Sequence, residues 1–333
     1  MPANMHKSDW SEDSRASVKM YNEWYLAFAP ATYTEARKSV TQEVKDALVH
    51  TDYFRNVSPE LLRERPEVIN ILRMATSPPI ARDRLVGLSG VSKSLVEYME
   101  EGKVPKKVRG STVEAELAKI STLIARLADP FIFPWLKTRE APNAKQIEDA
   151  ATIITERYCG AKADPIIRNE QERRQLSVLH QWLNSKGYRP APGGKLEDFT
   201  PGTYGRLWLP TKEVKVLENG DSVTLADQAE DAPEPEIVNV PIDTAIMPLA
   251  APPDELPLLI EAKSAGDFAN TNKRWKEEAT KAIKMRATYG EDKIRYVLLL
   301  CGYFGPKYLT NERDEGIDWV WEHRVSDLES LGI

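Results

Sequence analysis

The sequence predicts an α/β fold, in which a mixed β-sheet is flanked by helices and preceded by a mainly helical N-terminal domain. In the first half, apolar residues recur every three or four positions in "SVKMYNEWYLAF", "TEARKSVTQEVKDALV" and "STVEAELAKISTLIARLADPF", the spacing of amphipathic helices. In the second half, short β-like segments alternate with turn residues. One helical segment lies between two apolar strands there, an order typical of a mixed α/β sheet.

The length of the chain predicts two domains. With 333 residues, it exceeds the size at which a single hydrophobic core stops growing. The turn-rich segment "RPAPGGKLEDFTPG" follows Gly187-Tyr188, and we place the boundary before the helix that precedes it, near residue 160. We therefore predict a helical domain over residues 1–160 and a sheet-containing domain over residues 161–333.

The predicted strands can be assigned in chain order. They are "TYGRLWLP", "EVKVL", "SVTL", "IVNVPIDTAIM", "LLIEAKS" and "KIRYVLLLCGYF". Asn219-Gly220 marks a hairpin turn between the second and the third. A helix from Asn270 to Tyr289 separates the last two, and the last strand is apolar enough to be central in the sheet.

Composition and charge exclude several kinds of protein. The N-terminus carries no apolar run and no segment approaches the length of a membrane span, so a cytoplasmic protein is expected. A net charge of −6 gives no indication of nucleic-acid binding, although DNA binding needs only a local density of Lys and Arg. Cys159 and Cys301 lie far apart and the four histidines are scattered, which argues against a zinc ribbon, a disulfide framework and a histidine metal site.

Three charged residues lie in strands that are otherwise apolar. Asp243 occurs in "VPIDTAI", and Glu261 and Lys263 occur in "LIEAK". Strand alternation places Glu261 and Lys263 on the same face, and Asp243 joins them if the two strands are neighbours. Because an isolated buried carboxylate is costly, such groups are usually paired or coordinate a cation.

This arrangement favours a magnesium site for phosphodiester hydrolysis. Two acidic oxygen donors suit Mg²⁺ when the ion keeps open positions for water and a phosphate oxygen. A lysine beside them can orient the attacking water and stabilise the charge that develops on phosphorus. The alternative is an ion pair at the end of a strand, which is the commoner meaning of a lone E-x-K sequence.

The motif "PID" at 241–243, followed by "EAK" at 261–263, resembles the PD-(D/E)XK nuclease superfamily. The stretch "EAKSAGDFANTNKRWKEEATKA" more closely resembles the XamI-like type II restriction enzymes, and the similarity covers mainly residues 165–333. The resemblance implies a restriction-endonuclease-like fold, metal ligation by Asp243 and Glu261, and Lys263 beside the attacking water. It also implies Mg²⁺ as cofactor and 5′-phosphate products. Here Pro241 lies two residues before the aspartate rather than next to it.

A helix before the sheet often supplies a further acid in this superfamily. In "IIRNEQERRQLSVLHQWLNSKGY", a projection at about 100° per residue places Glu172 in the middle of a face shared by Leu176, Leu179 and Leu183. We therefore expect Glu172 in the metal site, with Glu170 as the second choice. An ion pair between Glu172 and a nearby arginine, such as Arg168 or Arg173, is the alternative.

The helix that follows Lys263 is predicted to approach DNA at its start. Asn270, Asn272 and Lys273 lie nearest the proposed scissile phosphate and are expected to contact DNA. Glu277 and Glu278 are interleaved with the lysines and arginines of this helix, Lys281 among them, so a mixed solvated face is expected for most of these positions.

The segment "ARDRLVGLSGVSKSLVEYMEEGK" predicts two helices joined by a tight turn at Gly90, as in a helix-turn-helix. A plain helical hairpin is equally compatible with the pattern. The residues predicted to contact DNA here are Arg82, Arg84, Ser92, Lys93 and Ser94.

Together these features predict a type II restriction endonuclease with an N-terminal domain for DNA recognition or dimerisation and a C-terminal nuclease domain. Symmetric cleavage of both strands at a short palindromic site predicts a homodimer. Two alternatives remain open from the sequence: a repair or recombination nuclease of the same fold, and a non-catalytic DNA-binding regulator that uses the Gly90 segment.

Overall fold

The computed structural model divides the chain into two compact units. It describes residues 4–107, 110–216, 222–224, 236–269 and 271–333. One unit comprises Phe28–Ile167, and the other combines Met1–Ala27 with Arg168–Ile333. The predicted boundary near residue 160 lies close to this division, whereas the assignment of the first 27 residues to the C-terminal unit has no counterpart in the sequence prediction.

Helices form the first part of the chain. In order they are α1 (Ser11–His50), α2 (Pro59–Glu64), α3 (Ile69–Met74), α4 (Arg82–Ser89), α5 (Lys93–Glu100), α6 (Val113–Leu127), α7 (Trp135–Thr138) and α8 (Ala144–Ser185). The division between the two units falls within α1 and α8. Fully buried apolar residues such as Leu85, Leu95 and Leu117 form the core of the unit from residue 28 to 167.

The predicted pair of helices around Gly90 is present as α4 and α5. Gly90 has φ of 65°, a left-handed conformation that ends α4 without the steric cost that a Cβ brings. Ser92 caps α5, because its hydroxyl accepts a hydrogen bond from the Leu95 amide at 3.1 Å. Leu85 of α4 and Leu95 of α5 are both fully buried, so the two helices share one apolar core.

The second unit is built around a six-stranded mixed sheet, which confirms the predicted α/β architecture. Its strands are β1 (Arg189–Pro190), β2 (Thr203–Lys212), β5 (Ile237–Ile246), β6 (Leu258–Ala265), β7 (Tyr296–Gly302) and β8 (Asp318–Trp321), hydrogen-bonded in the order β1-β2-β5-β6-β7-β8. The pairs β2–β5 and β5–β6 are antiparallel, while β6, β7 and β8 run parallel.

The remaining elements complete this unit. Strands β3 (Val214–Val216) and β4 (Ser222–Thr224) pair with each other in antiparallel orientation, and the predicted turn at Asn219-Gly220 lies outside the described residues. Helix α9 (Thr271–Tyr289) follows β6, and α10 (Pro306–Asp314) follows β7. No described helix has the length and apolar character that a membrane span requires.

Apolar side chains cover both faces of the sheet. On one face, Leu298 and Leu300 of β7 belong to the same cluster as Met285 of α9 and Leu309 of α10. On the other face, strand residues such as Leu299 pack with apolar residues of the C-terminal part of α8. All seven positions of β7 are buried and the strand pairs on both sides, with β6 and β8, so it is internal to the sheet, although it lies next to the edge strand rather than at the centre.

The N-terminal residues form hydrogen bonds and an aromatic contact with the last strand, β8. The backbone amides of Asn4 and Met5 both donate to the Asp318 carboxylate at 3.0 Å, and the Asn4 side chain donates to the Trp319 carbonyl at 2.8 Å. Trp10 packs edge-on against Trp319, with ring centroids 5.3 Å apart. These contacts explain why the start of the chain belongs to the C-terminal unit.

Candidate active site

Two strands bring Asp243 and Glu261 together at the point where their pairing ends. The ladder between β5 and β6 runs from Ile246 opposite Leu258 to Thr244 opposite Ile260. Asp243 and Glu261 occupy the next positions in this register. Instead of continuing the ladder, the Asp243 Oδ2 atom accepts a hydrogen bond from the Ala262 amide at 2.9 Å.

Lys263 lies on the same side of β6 as Glu261. Its Nζ atom is 3.2 Å from Glu261 Oε1, and the Glu261 residue is only 6% exposed. The structure thus places Glu261 and Lys263 on one face, as alternation predicted, and the pairing of β5 with β6 brings Asp243 next to Glu261. Burial opposes the Lys263 ammonium, but the charges of Glu261 and Glu278 outweigh that effect and raise the pKa of Lys263.

Helix α9 contributes two further residues that the sequence analysis placed on a solvated face. That expectation is wrong for Glu278, which is fully buried, while Lys281 is partly buried, with a side chain that is 27% exposed. Glu278 Oε1 lies 3.0 Å from Lys263 Nζ, and Lys281 Nζ lies 2.6 Å from Glu261 Oε1. The available signal was spacing: Glu278 is four residues before Ala282, so it shares the apolar side of the helix.

The carboxylates of the site repel one another. Burial and then the charge of Glu261, with a smaller contribution from Glu172, raise the pKa of Asp243 to about 6. The Ala262 amide and Lys281 act in the opposite direction. The negative charge close to Asp243 and Glu261 is therefore not fully compensated, and a further positive charge there would be favourable.

The predicted placement of Glu172 in the middle of an apolar face is wrong, because Glu172 is exposed. The buried positions that precede Leu179 on this face are Gln171 and Gln175. Gln175 lies against the sheet because its amide donates to the carbonyl groups of Lys263 and Leu299, each at 3.2 Å. Glu172 is nevertheless close enough to Asp243 for its charge to raise the Asp243 pKa.

Glu170, the second choice for this role, has a different environment. It forms an exposed ion pair with Arg173, and this pairing lowers the pKa of Glu170. The arginine pairing considered as the alternative for Glu172 is thus made by Glu170.

The donor set fits a magnesium ion that keeps most of its other ligands as water or phosphate. Asp243 and Glu261 offer carboxylate oxygens, and Glu261 Oε2 is buried without a hydrogen-bond partner in the described structure. Among the described residues, no three His, Cys, Asp or Glu side chains are grouped closely enough to hold a metal ion by themselves. One or two carboxylates are what Mg²⁺ commonly takes from a protein when substrate phosphates supply further ligands.

A second buried acid lies behind Glu278. Glu312 of α10 is 1% exposed, and its neighbour Tyr308 is equally buried. Burial, reinforced by the charge of Glu278, raises the pKa of Glu312 to about 8 despite the opposing effect of the Tyr308 hydroxyl. Burial at this position therefore favours the protonated form of Glu312.

The residues predicted to contact DNA in the Gly90 segment belong to the helical unit. Arg82 is held by Glu100, through an Nε to Oε2 hydrogen bond of 2.7 Å, and by Glu97 at 3.2 Å. Ser92 has a capping role in α5 and pairs with the hydroxyl of Ser94 at 2.8 Å. Arg84, Lys93 and Ser94 are exposed, and Lys93 lies 3.3 Å from Asp83.

The residues predicted to contact DNA at the start of α9 cannot be placed in the site. Asn270 and the side chains of Asn272 and Lys273 lie outside the described part of the structure.

Comparison with known proteins assigns the family. Residues 52–321 match the model of the XamI restriction endonuclease family. The chain belongs to this family. It is 44% identical to the type II restriction enzyme SalI of Streptomyces albus G over 324 residues, which cover 97% of each chain. It is 26% identical over 131 residues to the type II restriction enzyme XamI of Xanthomonas campestris pv. amaranthicola, covering 39% of this chain and 44% of that enzyme. No solved structure matches significantly.

Membership of the XamI family makes this protein a type II restriction endonuclease, a site-specific deoxyribonuclease. The enzyme class predicted from the sequence is therefore confirmed. Of the functions left open by the sequence, the repair nuclease and the non-catalytic regulator receive no support from these relatives.

Proposed function

We propose that this enzyme uses a PD-(D/E)XK site to cut both strands of duplex DNA by Mg²⁺-dependent hydrolysis, leaving 5′-phosphates. One observation carries the proposal: Asp243, Glu261 and Lys263 converge where β5 and β6 stop pairing. This is the arrangement that the motif resemblance implied, and family membership supplies the reaction class.

Each residue has a role that follows from its chemistry. Asp243 and Glu261 would hold the metal ion, and Glu172, whose charge reaches Asp243 from α8, would join through water. When bound, Mg²⁺ supplies Lewis-acid activation of water and of the phosphate. Lys263 remains a cation because two carboxylates lie within 3.2 Å of its ammonium, so it can orient the attacking water and stabilise charge on the phosphate.

We further propose that the enzyme acts as a homodimer on a short palindromic site. Two symmetric cuts require two equivalent active sites, and a twofold axis is the simplest way to present them. The helical unit, residues 28–167, is the proposed recognition or dimerisation domain. On this proposal Arg84, Lys93 and Ser94 are exposed for DNA contact, while Arg82 and Ser92 support the hairpin that carries them.

Cleavage of long duplex DNA tests the catalytic proposal. Wild type, Lys263→Ala and the control Lys293→Ala, which removes an exposed lysine, are incubated with DNA in Mg²⁺ and in EDTA and examined on a gel. We expect discrete fragments from wild type and from Lys293→Ala in Mg²⁺ only. Full activity of Lys263→Ala, or of wild type in EDTA, would contradict the proposed site.

A further inference from the structure

Glu278 is a buried acid that has no role among the metal ligands or the groups proposed to act on the phosphate. It lies on α9 with no exposed surface, and its Oε1 atom is 3.0 Å from Lys263 Nζ. A carboxylate in this position is strongly unfavourable without a counter-charge. Since Glu278 is otherwise unsatisfied by hydrogen bonds in the described structure, the Lys263 ammonium is the group that compensates it.

Lys263 lies between Glu261 and Glu278, and the two acids differ in how many cations they pair with. Glu261 Oε1 already lies 2.6 Å from Lys281 and 3.2 Å from Lys263, so its charge is shared between two ammonium groups. On the proposed mechanism Glu261 also ligates the metal ion, which weakens its hold on Lys263 further. Glu278, in contrast, is paired with Lys263 alone among the cations of the described residues.

We infer that Glu278 is a positioning residue, which holds the Lys263 ammonium in place when Glu261 is engaged by the metal ion. This inference rests on the proposed function. The second buried acid, Glu312, forms no ion pair with Lys263 in the described structure. Among the described residues, Glu261 and Glu278 are the acids within ion-pair distance of Lys263.

The first test compares Glu278→Gln with Glu277→Gln. Both variants remove one negative charge from neighbouring positions of α9, but the Glu277 side chain is exposed. Cleavage of a duplex with one site is followed at saturating protein in Mg²⁺, and DNA affinity is measured separately in Ca²⁺. We expect Glu278→Gln to lower the maximal cleavage rate at least tenfold while the DNA affinity changes less than twofold. Glu277→Gln should stay within twofold of wild type in both.

The second test measures the pairing without relying on activity. Melting temperatures are compared for wild type, Lys263→Ala, Glu278→Gln and the double variant in the absence of metal. Lys263→Ala leaves the Glu278 carboxylate buried and unpaired, so it should melt lowest, and the additional Glu278→Gln change should restore part of the loss. If the two substitutions lower the melting temperature additively, the residues are not coupled and the inference is overturned.

The outcomes separate this inference from the proposed function. If wild type leaves DNA intact in Mg²⁺, the proposed function fails. If wild type cleaves and Glu278→Gln cleaves at the same maximal rate, only the role of Glu278 fails. Should Glu278→Gln unfold at the assay temperature, Glu278→Asp keeps the charge but retracts it from the ammonium, and a wild-type rate from that variant would also overturn the inference.

Discussion

Replacement of Glu312 by glutamine should stabilise the protein at pH 8 and have little effect at pH 5. The wild-type carboxyl is 1% exposed, and burial together with the charge of Glu278 raises its pKa from the ordinary value of 4.5 to about 8. Between pH 4.5 and about pH 8, the Glu312 carboxyl keeps its proton in the folded protein, whereas it has lost that proton in the unfolded chain. The contribution of Glu312 to stability is therefore fully present below pH 4.5 and is lost as the pH rises through 8.

The size of the effect follows from the width of that interval. About 3.5 pH units at about 1.4 kcal/mol per unit set a ceiling of about 5 kcal/mol on the cost of ionising Glu312 in the fold. Relaxation of the site and entry of water reduce this cost, so we expect a gain of about 2 kcal/mol or more for Glu312→Gln at pH 8. Glutamine has nearly the same shape and remains neutral at both pH values.

Urea unfolding at pH 5 and at pH 8 measures this difference. The control is Glu277→Gln, which removes the charge of an exposed acid and should show no comparable gain at pH 8. A Glu312→Gln variant that is equally stable relative to wild type at the two pH values would refute the reasoning, because it would mean that Glu312 does not retain its proton in the fold.

Three further substitutions test other parts of the structure. Lys281→Gln removes the ammonium that lies 2.6 Å from Glu261, so Mn²⁺ should bind roughly five- to tenfold more tightly in calorimetric titrations without DNA, equivalent to about 1–1.4 kcal/mol. Asn4→Ala leaves the Trp319 carbonyl without its donor and should lower the free energy of unfolding by about 1–3 kcal/mol in urea. Gly90→Ala should cost about 1–2 kcal/mol by the same assay, because φ is 65° there although the space for a Cβ is open; an unchanged midpoint would show that the turn rearranges freely.

The sheet and the strand residues of the site were predictable because a strand has a strict period of two. Once β5 and β6 are recognised, alternation alone places Glu261 and Lys263 on one face, and the short register with β5 brings Asp243 beside them. Assigning these residues to one face does not depend on the secondary-structure propensity of any residue.

The helical contributions were harder to predict, because a helix can bury any side of its surface. Glu277 and Glu278 are adjacent and chemically alike, yet one is exposed and the other fully buried. On α8 the buried side continues through Gln171 and Gln175 rather than through Glu172, since the Gln175 amide satisfies two carbonyl groups of the sheet. The spacing of apolar residues does not reveal a buried glutamine. The sequence prediction therefore centred the buried face of α8 on Glu172 instead of on Gln171 and Gln175.

A count of charge connects these helical residues to the proposed reaction. With the exposed Glu172 left out, Asp243, Glu261 and Glu278 bring three negative charges to the site, and Lys263 and Lys281 bring two positive charges. The protein alone therefore has an excess of one negative charge, which is consistent with the raised pKa of Asp243. A divalent cation adds two positive charges and one phosphodiester group adds one negative charge, so the sum over these five residues, the cation and the phosphate is zero. On the proposed function, the site would bind a metal ion and DNA favourably as a pair, because each offsets the charge that the other leaves uncompensated.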